Sequence, residues 1–249
     1  MDAEKRLIYG MDTTVVRFHQ AEYYVPDYAR HRPVAQRVLG KRKVARALHR
    51  FVGRLMEHRP GSMVHAGAFF GDMLPSFSRK TPGTVHAFEP VIENYLLAQA
   101  VVESNGLDNV RLLHCGLGPA AGVSQVGVAR ADRQRHLGGA ARIVTGETED
   151  QFVTQPTAVL TIDQLGIDDL TLIQLDTEGF ELPILQGAEE AIRSQSPVIV
   201  IEDNKENCRE YVSGLGYEAV GLLQGDAVYA AATLAPDVAE LVRQSRGQR

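Results

Sequence analysis

Three places in this chain carry residue types and spacings that could do chemistry. The first is the loop Gly67-Ala68-Phe69-Phe70-Gly71. The second is Glu89, in His86-Ala87-Phe88-Glu89-Pro90, about 20 residues beyond it, the offset at which an acid meets a ribose in nucleotide-binding folds. The third is a set of acids behind two apolar runs: Asp176, Glu178 and Glu181 after Leu172-Ile173-Gln174-Leu175, and Glu202-Asp203 after Val198-Ile199-Val200-Ile201. Glycines let a backbone turn tightly and approach a ligand closely. A carboxylate ending the next strand can accept hydrogen bonds from both hydroxyls of a ribose. The loop lacks the third glycine of the dinucleotide fingerprint, so the pair favours a nucleoside without a diphosphate, which S-adenosylmethionine is. The bland alternatives, a tight turn only for the loop and a surface acid at a helix start for Glu89, are the less favoured readings.

The elements that position these residues alternate. Apolar strands are expected over 63–66, 84–88, 110–114, 172–175 and 198–201, with helices over 72–80, 91–104, 182–194 and 207–215. Pro75 falls in a first helical turn, where its missing donor costs little, and Asn105-Gly106 reads as a helix stop. Strands joined by helical crossovers imply an α/β fold with a mostly parallel sheet covered on both faces. The runs 217–223 and 227–231, turning at Gln224-Gly225-Asp226, form a hairpin that adds an antiparallel strand at one edge. A short polar helix finishes the chain. Residues 116–169 break the rhythm with short β-prone runs (122–128, 142–145, 157–162) around the polar loop 130–139, which reads as a β-hairpin insertion.

Residues 1–60 differ from 61–249 and are expected to form an N-terminal helical extension acting as a lid. Apolar positions from Val34 to Leu55 recur at helical spacing, and Lys41, Arg42, Lys43, Arg46, Arg50 and Arg54 form a basic, solvated face. Tyr23, Tyr24, Tyr28, His31 and Arg32 offer flat surfaces with polar tips for closing over a ligand. Packing of an aromatic arm on the core explains them equally well. Removal of residues 1–27 is expected to spare the fold and weaken cofactor binding.

Composition narrows the classes. Apolar residues make up 44% and charged residues 23%, which suits a soluble globular domain. A net charge of −5 gives no pull towards nucleic acid. Two cysteines, Cys115 and Cys208, make no disulfide framework, and no Cys/His spacing suits zinc. No apolar run approaches the ~18 residues of a membrane span, and no signal core opens the chain, so a cytoplasmic protein is expected. Oligomeric state is not legible.

In order, His65-Ala66-Gly67-Ala68-Phe69-Phe70-Gly71, Ala87-Phe88-Glu89-Pro90, Asn105, Ile162-Asp163, Gln174-Leu175-Asp176-Thr177-Glu178-Gly179-Phe180-Glu181, Leu185-Gln186-Gly187-Ala188 and Ile201-Glu202 resemble the FkbM-type methyltransferase family. The resemblance implies a Rossmann-like class I methyltransferase fold with a seven-stranded sheet and S-adenosylmethionine as cofactor. It also implies binding residues His65, Gly67, Ala68, Phe69, Gly71, Glu89, Pro90, Cys115 and Asp176, with Cys115 near the adenine edge. His65 replaces the family's acid at the methionine end, and Phe69 replaces its Asn.

The acceptor implied is a hydroxyl of a small molecule, such as a sugar, glycolipid or polyketide-like metabolite. Asp176, Glu178 and Glu202 are the candidate catalytic residues. Asp176 or Glu178, with His136 as an outsider, takes the hydroxyl proton; alternatively Asp176, Glu202 and Asp203 hold a divalent metal, the less favoured route. A non-catalytic cofactor-binding descendant and an NAD-dependent oxidoreductase are the rival readings.

Overall fold

The N-terminal segment begins with strands. In the computed structural model, which describes residues 4–42, 44–132, 137–144, 150–202 and 206–246, β1 (Lys5–Ile8), β2 (Met11–Phe18) and β3 (Ala21–Pro26) form an antiparallel three-stranded sheet. This corrects the helical expectation for the first part of 1–60. The reason lies in the turns. Tyr9-Gly10 (φ 47 and 82) and His19-Gln20 (φ 50 and 60) both take positive φ, the geometry of tight two-residue hairpins, without the Asn-Gly or Asp-Gly that announces it. Helices follow as α1 (Pro33–Leu39) and α2 (Arg46–His58).

The alternating region runs β4 (Ser62–Ala66), α3 (Leu74–Ser78), β5 (Val85–Phe88), α4 (Ile92–Ser104) and β6 (Val110–Leu113). After an inserted segment it resumes with β11 (Leu170–Leu175), α5 (Glu181–Gln186), α6 (Glu189–Gln195), β12 (Val198–Ile201), α7 (Glu206–Gly214), β13 (Tyr217–Leu223), β14 (Asp226–Ala231) and α8 (Ala235–Arg246). The insertion holds β7 (Gly116–Leu117), β8 (Gly122–Arg130), β9 (Arg142–Val144) and β10 (Phe152–Leu160), which pair in the order β7-β10-β8-β9. It is therefore a four-stranded sheet, larger than a hairpin.

The main sheet has seven strands among the described residues, ordered β13-β14-β12-β11-β4-β5-β6. Neighbours from β12 to β6 are parallel, and the reversed strand is β14, one place in from the edge. The chain leaves β4 in one direction towards β6 and returns to β11 on β4's other side. The carboxyl ends of β4 and β11 thus flank the point where ligands bind in open α/β sheets.

Period-two alternation sends the strands' side chains to two cores. Met63, Val85, Leu172 and Val200 pack with α2, α3 and α8, while Val64, Ile173, Leu175 and Ile201 pack with α5, α6 and α7. The expected single helix over 182–194 breaks at Gly187, whose absent Cβ would lie 2.0 Å from the Gly118 carbonyl oxygen. The C-terminal helix is not merely polar, since Val238, Leu241 and Val242 are buried. Part of the basic face of α2 serves the same junction: Arg50 donates to the Ser245 carbonyl (2.8 Å) and Arg54 to Gln244 (3.0 Å).

A third core joins the N-terminal sheet to the rest. Tyr23, Tyr24, Val25 and Val38 pack with Phe69, Phe70, Leu97 and Val101. Asn105 clasps the Glu22 backbone, accepting from its N–H and donating to its carbonyl, both at 2.8 Å. Removing 1–27 would expose Phe69 and Phe70, so the expectation that the fold is spared does not fit this packing.

Candidate active site

A cleft of about 270 Å³ opens over the carboxyl ends of β5, β4, β11 and β12. Its floor and ends carry Gly67, Phe69, Glu89, Pro90, Cys115, Asp176, Glu178 and Glu202 from the sequence-derived set. Three of that set lie off it. Ala68 and Gly71 are buried in the loop's packing; Gly71, at φ 83, sits against Ala98 and Val101, where a Cβ would come within 3.1 Å of Ala98 Cα. His65 points into the core on the α3 side, its Nδ1 on Gln174 Oε1 and its ring edge-on to Phe77. Burial lowers its pKa to about 4, which makes it a neutral imidazole. The structure does not bring it to the cleft.

Gly67 is required by the junction it makes. At φ 91, a Cβ there would lie 1.9 Å from the Asp176 carbonyl oxygen, so the ends of β4 and β11 touch only because this residue has no side chain. Two residues on, Phe69 takes φ 48, a conformation L side chains seldom adopt, and this turns its N–H towards Glu89.

Glu89 is 4% exposed and lies at the centre of a donor set. Its Oε2 accepts from the Phe69 N–H (2.7 Å) and its Oε1 from the Val91 N–H (3.0 Å) and Asn94 Nδ2 (3.3 Å). Asn94 is held in turn by the Tyr28 hydroxyl, which donates to its Oδ1 at 3.1 Å. Burial pushes the Glu89 carboxyl up to about 7 against the pull of those donors. Two carboxylate oxygens offer about four lone-pair positions, so ribose hydroxyls can still be accepted. Gly138 closes this end: its position meets Ala29, Arg32 and Phe69, bringing insertion, N-terminal arm and glycine loop to one point.

The opposite end is acidic and differently furnished. Asp176 lies beside Glu202; burial and that neighbouring carboxyl hold the Asp176 pKa well above its ordinary value. Glu178, at φ 55 and exposed, is raised by burial and by Glu202 and pulled back by Arg142 and Arg32, which line the mouth. Glu181 does structural work: its Oε1 accepts from the Thr177 N–H (3.2 Å), the Thr177 hydroxyl (3.1 Å) and the Gly179 N–H (3.0 Å), bracing the loop that presents Asp176. Cys115 is 5% exposed with its thiol pushed up to about 11 by burial, so it is a neutral, apolar wall element.

Several cleft residues were not singled out from sequence. Asn94 could have been found as the polar residue one turn into the helix that follows Glu89. Asp72 could have been found as the first acid after the glycine loop; it is among the residues lining the cleft, and its carboxyl is pushed up to about 7 by burial. His136 and Asp203, named as a base and a metal ligand, lie outside the described residues, as do Lys43 and Thr145. Among the described residues no three His, Cys, Asp or Glu side chains converge as a metal-binding group, and no helix is long and apolar enough to cross a membrane.

The residues present fit S-adenosylmethionine. Glu89 could accept from a ribose, Pro90 and Cys115 would give an apolar wall beside it, and Gly67 lines the cleft. The family model described as the methyltransferase FkbM domain matches residues 65–219, more than half of the chain. No curated protein matches it. Among solved structures, the FkbM methyltransferase of Methylobacillus flagellatus is similar at 21% identity and a TM-score of 0.49, over 69% of this chain but only 43% of that one. A methyltransferase from Geobacter sulfurreducens is similar at 15% identity and 0.47, over 80% of this chain and 87% of that one. A SAM-dependent methyltransferase from Aquifex aeolicus is similar at 14% and 0.43, over 76% and 93%. The nicotinamide rival has no support from the family match. By that match, the chain belongs to the FkbM family of methyltransferases, whose cofactor is S-adenosylmethionine.

Proposed function

We propose that the protein methylates a hydroxyl group of a small molecule, with Asp176 as the general base. The observation that carries this reading is the placement of Asp176 beside Glu202 at the end of the cleft away from the ribose site, where burial and that neighbour raise the Asp176 pKa. S-adenosylmethionine supplies a methyl group made electrophilic by its sulfonium. The remaining work belongs to this chain. The acceptor hydroxyl must be held in line with the methyl–sulfur bond and lose its proton as the oxygen–carbon bond forms and the carbon–sulfur bond breaks.

A carboxylate with an ordinary pKa is a weak base towards an alcohol, and raising that pKa strengthens it. Burial and Glu202 do this for Asp176, and Glu202 gives the accepted proton a second oxygen to share. Glu178, at the mouth with Arg32 and Arg142, is suited to orienting a polar acceptor. The apolar walls at Phe69, Phe88 and Phe180 exclude water that would compete for the proton's place. A small cleft whose exposed lining is mostly apolar suits a metabolite-sized acceptor better than a macromolecule.

The test is Asp176→Asn, assayed by methyl transfer from labelled S-adenosylmethionine across a panel of sugars, phenols and hydroxylated metabolites. Wild type is expected to turn over at least one hydroxyl compound. The variant should lose about 10²–10⁴-fold in kcat, the usual worth of a general base, while binding S-adenosylhomocysteine to within a few-fold of wild type. Equal kcat in the two proteins would remove Asp176 from the chemistry. Wild type that binds the cofactor but methylates nothing would favour the non-catalytic descendant.

A further inference from the structure

Asp72 Oδ2 is shielded from solvent and has no hydrogen-bond partner among the described residues. Asp72 lies between the cleft, which it helps to line, and a second cavity that it shares with Tyr23, His49, Arg79 and Lys80. A buried carboxylate oxygen without a donor is a costly arrangement that a ligand donor would relieve. We infer that Asp72 receives the α-ammonium group of the methionine arm of S-adenosylmethionine, a specificity contact made from the head of α3 and not from the end of β4. The inference rests on the cofactor reading above and assigns a residue to it.

Three observations lead there. Along the sheet the cleft acids succeed one another by strand: Glu89 after β5, Asp72 in the loop after β4, Asp176 after β11 and Glu202 after β12. Strands lie about 4.8 Å apart, so an arm leaving a ribose at Glu89 crosses the β4 loop before it reaches β11. From the ribose 5′ carbon to the amino-bearing carbon the arm runs four bonds of about 1.5–1.8 Å, a span of roughly 6 Å, which ends over that loop.

Second, the other acid within reach is already engaged. Asp176 lies against Glu202, whereas Asp72 has an own-backbone contact and, among the described residues, no partner at Oδ2. An ammonium carries three donors and no acceptor, which is what an unpaired carboxylate oxygen lacks. Third, His65, the residue that sequence reasoning assigned to this end, is turned away onto Gln174. Among the described residues no cation is among the groups acting on the Asp72 carboxyl.

The test compares three nucleosides by calorimetry on wild type and Asp72→Asn: S-adenosylhomocysteine, its deaminated analogue with the carboxylate retained, and 5′-methylthioadenosine, which has no amino-acid arm. Wild type is expected to prefer S-adenosylhomocysteine over the deaminated analogue by about 10–100-fold, the range of a charge-assisted hydrogen bond. Asp72→Asn should abolish that preference and bind 5′-methylthioadenosine within about twofold of wild type, since a nucleoside without the arm makes no such contact. Asp72→Ser serves if the Asn variant does not fold. A variant that keeps the preference, or that weakens all three nucleosides equally, overturns the assignment. Wild type that binds none of them overturns the cofactor reading first, and the two failures are thereby distinguished.

Discussion

The two ends of the cleft meet the same problem, a buried carboxyl group, and answer it differently. At the β5 end every oxygen of Glu89 has a protein donor: the Phe69 and Val91 N–H groups and the Asn94 amide. At the β11 end, Asp176 lies against Glu202, which with burial raises its pKa, and in the neighbouring β4 loop Asp72 Oδ2 has no donor among the described residues. The first end is complete without a ligand, and its rigidity fixes the position of whatever binds there. The second is incomplete, and a cation or a hydroxyl is what completes it. A site built this way separates recognition, which wants a preorganised partner, from chemistry, which wants a group whose proton can move.

The largest test of that contrast is removal of the preorganised partner. Glu89→Ala should weaken S-adenosylhomocysteine by at least about 100-fold in calorimetry, because ribose contacts are lost and three donors are left without an acceptor. Glu89→Gln should come close to it despite its shape. Phe69 N–H and Val91 N–H point at different oxygens, so either orientation of the amide turns an NH₂ towards a buried N–H. Undiminished binding in either variant would dissolve the ribose assignment and the contrast with it.

A second test uses protons. Asp72 and Glu89 are both pushed up to about 7 by burial, from ordinary values of 3.8 and 4.5. Below the ordinary values both folded and unfolded chains are protonated there, and the stability associated with these groups is fully present. Between roughly pH 4 and pH 7 the unfolded chain has released protons that the folded one keeps, so stability falls as pH rises through that window. The ligand-free protein should therefore melt several degrees lower at pH 7.5 than at pH 5. Asp72→Asn should flatten the slope by removing one of the two groups. Coincident slopes for wild type and variant would mean that Asp72 keeps its charge in the folded chain, and the acid end would lose its unfinished character.

What sequence could reach follows the same division. The strands that carry the site are short apolar runs ending in chemistry, and Glu89, Asp176 and Glu202 were found because a polar residue at such a terminus is conspicuous. The glycines could be named but not told apart: Gly67 is needed against the Asp176 carbonyl and Gly71 against Ala98, contacts between residues distant in sequence. His65 was misplaced because position along a strand fixes its depth, while its direction depends on Gln174 and Phe77 across the sheet. The N-terminal strands were missed because His19-Gln20 makes a tight hairpin turn with residues that do not favour one, and tertiary packing on Phe69 and Phe70 supplies the difference. Asp72 reads as a surface acid until the burial of its oxygen is known.

The smallest expected effect concerns how far the completeness of the β5 end depends on the N-terminal arm. Tyr28 follows directly on β3 and donates to Asn94 Oδ1 at 3.1 Å, and Asn94 donates to Glu89 Oε1 at 3.3 Å. That hydroxyl fixes which way the Asn94 amide faces, with its NH₂ on the carboxylate. Tyr28→Phe keeps the ring in its packing and removes only the orienting bond, worth about 0.5–1.5 kcal/mol. Cofactor KM should rise by about two- to tenfold with kcat close to wild type, since nothing at the Asp176 end has changed. Asn94→Ala, which removes the donor itself, should have the larger effect in the same direction. If both variants bind cofactor as wild type does, the arm is a packed wall and Glu89 is positioned by its two backbone donors alone. If Tyr28→Phe lowers kcat instead, the two ends are coupled through the arm, and the division of labour between them is less clean than their hydrogen bonds suggest.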